Sequence, residues 1–95
     1  MFGELHVERQ AAEILAINAL GFLASDAERL GRFLAISGIG PESLRAGASD
    51  PQFLAGVVDY LLADESLLFM FAESQGIGVD EPQKARRALP GAMEH

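Results

Sequence analysis

The chain has 95 residues, no cysteine, and fourteen acidic against seven basic residues, for a net charge of −7. That length suits one domain with one core. The lack of cysteine excludes disulfides, thiolate metal sites and cysteine nucleophiles, and the acidic balance opposes binding to phosphate backbones or anionic membranes. The start, Met1-Phe2-Gly3-Glu4-Leu5-His6-Val7-Glu8-Arg9, carries two acids and no basic cluster ahead of an apolar stretch, unlike a secretory signal. The most apolar run, Ile14 to Ala24, is too short to span a bilayer. A soluble cytoplasmic protein is expected.

A first helix is predicted from about Glu8 to Ala24. Between Ala11 and Ala24 only Glu13 and Asn18 are strongly polar, so this helix is expected to be the central and most buried element, with Asn18 a satisfied interior polar group. Ser25-Asp26-Ala27-Glu28 has the spacing of a capping box and opens a second helix, whose stripe is Leu30, Phe33, Leu34 and Ile36. Gly38 is its left-handed terminator. Pro41 after Gly40 opens a short third helix to about Ala48. Asp50 ahead of Pro51 opens a fourth to about Leu62, with Phe53, Leu54, Val57, Val58, Leu61 and Leu62 on a wide apolar face. Asp64 caps a fifth helix that ends at Gly76, and Asp80-Glu81-Pro82-Gln83 reads as a second capping box for a sixth helix to about Leu89. No stretch alternates with period two for long enough to form a strand.

Sliding the sequence against itself by 38 positions aligns Phe22 with Tyr60, Leu23 with Leu61, Asp26 with Asp64, Leu30 with Leu68 and Phe33 with Phe71. It also aligns Gly38-Ile39-Gly40 with Gly76-Ile77-Gly78. Each half then reads as long helix, cap, helix, Gly-Ile-Gly turn and short helix. The expected fold is an all-α bundle of about six helices, built as two similar three-helix units related by internal duplication and packed through helices one and four. The ordered core is expected over about residues 8–89.

The segment from Ile36 to Leu44 resembles a helix-hairpin-helix turn, in which glycine-flanked amides and nearby cations hold a DNA phosphate. Gly38, Ile39, Gly40 and Arg45 would make that contact. Pro41 removes one amide, however, and Glu42, Asp80 and Glu81 place acids where phosphates would sit. Nucleic-acid binding is therefore the alternative reading, and small-ligand or metal binding ranks third. Asp59, Asp64 and Glu65 form the densest acidic group, without the alternating oxygen ligands of a calcium loop. His6 and His95 lie near the ends, where no zinc site or acid–base pair is easily assembled. No catalytic residue, metal ligand or cofactor is assigned, and no enzymatic activity is expected. Arg29, Arg32 and Arg45 are expected to pair with Glu28, Glu42 or acids of the second half.

The run Leu67-Leu68-Phe69-Met70-Phe71-Ala72 is the most suggestive functional feature. Leu68, Phe71 and Ala72 fit one helical stripe, while Phe69 and Met70 point elsewhere. Exposed aromatic and methionine side chains favour contact with other proteins, so Phe69 and Met70 are the candidate residues of a homodimer or partner interface.

The segments Leu30-Gly31-Arg32-Phe33-Leu34, Asp50-Pro51-Gln52-Phe53-Leu54 and Asp64-Glu65-Ser66-Leu67-Leu68, in this order, resemble a family of small bacterial proteins known only as a domain of unknown function. The resemblance covers about residues 10–89. It implies a bacterial, single-domain helical protein and carries over no catalytic or binding residue. The chain reads best as a non-enzymatic protein-interaction or regulatory domain of unknown partner.

Overall fold

The computed structural model describes residues 2–91, with side chains from residue 8 onward. Six helices follow one another: α1 (Phe2–Ala24), α2 (Ala27–Ser37), α3 (Pro41–Gly47), α4 (Pro51–Leu62), α5 (Glu65–Gln75) and α6 (Glu81–Arg87), with no strand among the described residues. The all-α bundle expected from caps and periodicity is the fold, though α1 begins six residues earlier than predicted.

The cap chemistry explains most helix starts. The Asp26 carboxylate accepts hydrogen bonds from the backbone N–H groups of Glu28 (2.9 Å) and Arg29 (3.4 Å), Asp50 accepts from Gln52 (3.0 Å), and Asp64 accepts from Leu67 (3.2 Å). The box predicted on Ser25 is displaced by one residue. Ser25 donates its hydroxyl hydrogen to the Phe22 carbonyl at 2.7 Å, closing α1, and leaves the cap to Asp26, whose backbone is extended (φ −134°, ψ 121°). The second predicted box also fails. Asp80 has helical dihedrals and no side-chain cap bond, because its carboxylate lies 3.2 Å from Lys84 Nζ one turn on. That ammonium holds the Asp80 carboxyl below its ordinary value, and Lys84 is raised in return by its bond to Asp80.

α1 and α4 form the central pair. Ala12, Ala16, Ala19 and Leu23 recur every three or four residues on the inner face of α1, and their small side chains leave room for Leu54, Val57, Val58 and Leu61 of α4. One core cluster joins this pair to Ala85 and Leu89 at α6, and the other joins it to Phe33 of α2 and Phe71 of α5. α1 is central as expected, but among the described side chains it is not the most buried helix. Ile14 is 59% exposed, Ile17 is 44% exposed, and Asn18 is exposed rather than interior. α1 packs chiefly on α2, α4 and α6, so the face carrying Ile14, Ile17, Asn18 and Gly21 lies open to solvent.

The offset of 38 reappears in three dimensions. The Phe22 ring meets Phe71 edge-on with centroids 5.6 Å apart, and the Tyr60 ring meets Phe33 in the same way at 5.0 Å. Phe22 and Tyr60 are equivalent in the repeat, as are Phe33 and Phe71. Each half therefore gives the other the contact it receives, which is the signature of a twofold relation. Leu23 and Leu61 are both fully buried, and Gly38 and Gly76 both end their helices in the left-handed region, at φ +75° and +67°. The third helices break the symmetry, since α6 packs on both α1 and α4 while α3 packs chiefly on α4.

The two glycine joints allow a direct test. A Cβ at Gly38 or Gly76 would meet nothing within 4 Å, so substitution costs only the left-handed backbone. G38A and G76A should each lower stability by about 1 kcal/mol, and the double variant by roughly the sum. Chemical denaturation followed by circular dichroism measures all three; a negligible cost at either site contradicts the equivalence.

Candidate functional site

A cleft of about 490 Å³ opens between α2 and α5. Its floor includes Leu23 from α1 and Tyr60 from α4; α2 contributes Asp26, Glu28, Arg29 and Arg32, and α5 with its cap contributes Asp64, Leu67 and Met70. The 38-residue offset pairs Asp26 with Asp64, Arg29 with Leu67, and Arg32 with Met70. The two walls therefore occupy equivalent places in the repeat. Their chemistry has diverged: two guanidinium groups stand on the α2 wall where the α5 wall has a leucine and a methionine.

The basic wall is not neutralised as the sequence suggests. Arg29, Arg32 and Arg45 make no ion pair among the described residues, where the pairs are Arg9 with Glu13, Lys84 with Asp80 and Glu81, and Arg86 with Asp59. Three aspartates near these arginines in sequence or across the cleft have other work. Asp26, Asp50 and Asp64 are committed to backbone amides at helix starts. The Arg29 guanidinium instead lies over the Phe22 ring, 4.4 Å from its centroid, a cation–π contact that positions it at the cleft edge.

The acidic group Asp59, Asp64 and Glu65 is dispersed. Asp59 accepts a 2.7 Å bond from Arg86 Nε, Asp64 caps α5, and Glu65 is exposed in the first turn. Arg86 also donates to the Pro90 carbonyl at 2.9 Å, tying the end of α6 to α4. Among the described residues no three His, Cys, Asp or Glu side chains converge on a common point. The side chains of His6 and His95 lie outside the described residues. A second, more open cleft of about 440 Å³ lies along the α1–α6 contact, lined by Ala11, Ala12, Leu15 and Ala85 with Glu8, Glu81, Lys84 and Arg87.

The two Gly-Ile-Gly turns share a further feature. Gly38 terminates α2, Gly40 caps α3, and Ile39 packs half-buried on the cluster around Phe33 and Phe71, as Ile77 does in the second half. A Cβ on Gly40 would lie 2.8 Å from Glu42 Oε2, and one on Gly78 would lie 2.6 Å from Asp80 Oδ1. Glu42 and Asp80 are themselves equivalent in the repeat, so both turns are covered by a carboxylate. Arg45 is exposed in the last turn of the seven-residue α3.

Phe69 and Met70 are 49% and 43% exposed. Inward, α5 buries Phe71 and Ala72, with Phe71 fully buried, and Leu67 packs half-buried on the same cluster. The 100° step between successive residues places Phe69 and Met70 on opposite flanks of the outward ridge. Met70 borders the cleft. Phe69 stands on the other flank, one turn from Glu65 on one side and Glu73 on the other, both exposed. Sequence reasoning missed the cleft, which depends on how α2 and α5 stand relative to each other in the fold and leaves no local pattern.

Fold and cleft together define a small helical protein made of two like halves around a central helix pair. Residues 9–92 match the family model described as "Protein of unknown function (DUF3572)", and the chain belongs to this family. No curated protein and no solved structure matches it. Among the described residues, no helix is long and apolar enough to cross a membrane.

Proposed function

We propose that this chain is a cytoplasmic, non-enzymatic protein-interaction domain that presents the outward side of α5 to a partner. The observation that carries the reading is the exposure of Phe69 and Met70 on a helix whose inward stripe already fills the core. An aromatic ring left half in water gains when a partner covers it, and such residues concentrate binding energy. The surroundings of Phe69 define the partner. Glu65 and Glu73 flank the ring at one turn on either side, and the chain carries a net charge of −7, so the complementary surface is an apolar notch with a basic rim. A homodimer through this patch is disfavoured, because a twofold interface would bring the same carboxylates of both copies together. The carboxylates over Gly40 and Gly78 argue against the alternative of a phosphate-binding turn.

A photo-crosslinking amino acid placed at position 69 in cells of the source organism, with position 45 as control, should trap a protein specific to position 69. The purified partner should then bind the purified chain, and F69K should weaken that binding at least tenfold, as loss of an aromatic anchor does. E65K/E73K should also weaken it. Light scattering should find the chain alone to be a monomer. Binding of the trapped protein that is indifferent to F69K would overturn the proposal, as would a dimer that F69K dissociates.

A further inference from the structure

We infer that the open face of α1 around Ile17 and Gly21 is a second docking surface, and that it takes a short helix of another protein, laid along α1 as α6 lies along α4. This surface goes beyond the one at Phe69 and does not depend on it. Large apolar side chains left open side by side on one helix mark a place of contact, and Ile14 and Ile17, one turn apart, are both exposed.

The repeat itself shows what covers such a face. Under the 38-residue offset α1 corresponds to α4 and α3 to α6. α6 packs on both central helices, whereas α3 packs chiefly on α4, so the seat of α6 on α4 has no filled counterpart on α1. On α4 that seat is the edge formed by Ala55, Val58 and Asp59. Ala55 and Val58 share a core cluster with Ala85 and Leu89, and Asp59 accepts the 2.7 Å bond from Arg86 Nε. The same offset carries this edge onto Ile17, Leu20 and Gly21 of α1. Ala55 is 3% exposed and Val58 is fully buried, but Ile17 is 44% exposed and Leu20 is only half-buried. A Cβ on Gly21 would meet nothing within 4 Å.

The differences between the two edges define the occupant. Where α4 has the small Ala55, α1 has Ile17, so the bulk comes from α1 and the docked helix needs an alanine or glycine at that point. Where α4 has Asp59, α1 has Gly21, and the groove left there receives a leucine ridge of the partner. A cation in the place of Arg86 is excluded, because covering it with no acid at position 21 would bury an unpaired charge. The charges on this side of α1 are Arg9 and Glu13, one of each sign and 3.4 Å apart, so the face itself has no formal excess of either sign. The occupant is thus a helix whose docking stripe is uncharged and sets an alanine over Ile17 and a leucine over Gly21.

The test is a titration of the full chain, followed by amide chemical shifts in nuclear magnetic resonance, with lactam-bridged peptides of about 14 residues, the bridge holding helical a segment that is marginal alone. One peptide carries alanine and leucine four residues apart on an uncharged stripe. A second has arginine for that leucine, and a third has the composition of the first with the stripe scattered around the helix. The first should saturate a single site, shifting amides of residues 14–24 of α1, and should bind about tenfold or more tightly than the other two. I17K should weaken it about tenfold or more, as loss of an apolar anchor does. G21A separates docking from folding: it should raise the melting temperature, since alanine replaces glycine inside a helix, and yet weaken the peptide severalfold by filling the groove. F69K should leave the binding unchanged. The inference is overturned if the first peptide fails to saturate, if either of the others binds as tightly, if the shifts centre outside α1, or if I17K or G21A leaves the affinity intact. A dimer of the chain that I17K dissociates would also overturn it, since the occupant would then be a second copy. Failure of the peptides with a partner still trapped at position 69 would remove this surface and leave the one at Phe69 standing.

Discussion

Replacing Phe71 with alanine should cost about 3–5 kcal/mol, the range for deleting a buried phenylalanine, and should leave the protein close to its unfolding midpoint in mild denaturant. Phe71 is fully buried in the cluster that joins α1, α2, α4 and α5, and it receives the edge of the Phe22 ring at 5.6 Å. Domains of this size have a total stability of roughly 5–14 kcal/mol, so one substitution removes a large share of it. The twofold relation extends the prediction. Phe33 is 3% exposed and receives Tyr60 as Phe71 receives Phe22, so F33A should fall within about 1 kcal/mol of F71A. Urea denaturation monitored by far-ultraviolet circular dichroism gives both values. A cost below about 1.5 kcal/mol for F71A would mean that the aromatic joint does not hold the halves together.

The features legible in the sequence are those decided within a few residues. Asp50 before Pro51, Asp64 before Glu65, and the glycines at 38 and 76 fix helix ends by local hydrogen bonding and backbone freedom, and each does so in the structure. Where two local partners compete, the sequence pattern slips. Ser25 closes α1 and leaves the cap to Asp26, and Asp80 prefers Lys84 to the backbone amides.

Burial is a different matter, because composition records how apolar a helix is and not how many neighbours it has. α1 has open sides at Ile14, Ile17 and Asn18 although its sequence reads as core. Phe69 and Met70 were legible as outward-facing because the α5 stripe has room for three large inward residues in a row of five, and periodicity alone excludes the others. The cleft was not legible, since it depends on how α2 and α5 stand relative to each other in the fold. Charge pairing failed for the same reason: Arg29 found the Phe22 ring rather than an acid, a contact set by the packing of α2 on the end of α1.

Substitution at Gly47 is the second large effect we expect. Gly47 is buried at the end of α3, and a Cβ on it would lie 2.6 to 2.9 Å from Cδ2, Cγ and Cε2 of the Phe53 ring. Its φ is not left-handed, so the obstacle is steric rather than conformational. Phe53 cannot simply turn away, because it packs on both core clusters and stands edge-on to Phe33 at 6.3 Å. G47A should therefore cost about 1–3 kcal/mol by overpacking, in spite of the higher helix propensity of alanine, and G47V should cost more. The ring is the stated cause, and removing it tests the cause. In the G47A/F53L background the alanine should be tolerated better than in the wild type, giving a favourable coupling of at least about 0.5 kcal/mol in a double-mutant cycle. Strict additivity of G47A and F53L, or a G47A variant more stable than the wild type, would show that α3 approaches α4 less closely than the Gly47–Phe53 contact requires.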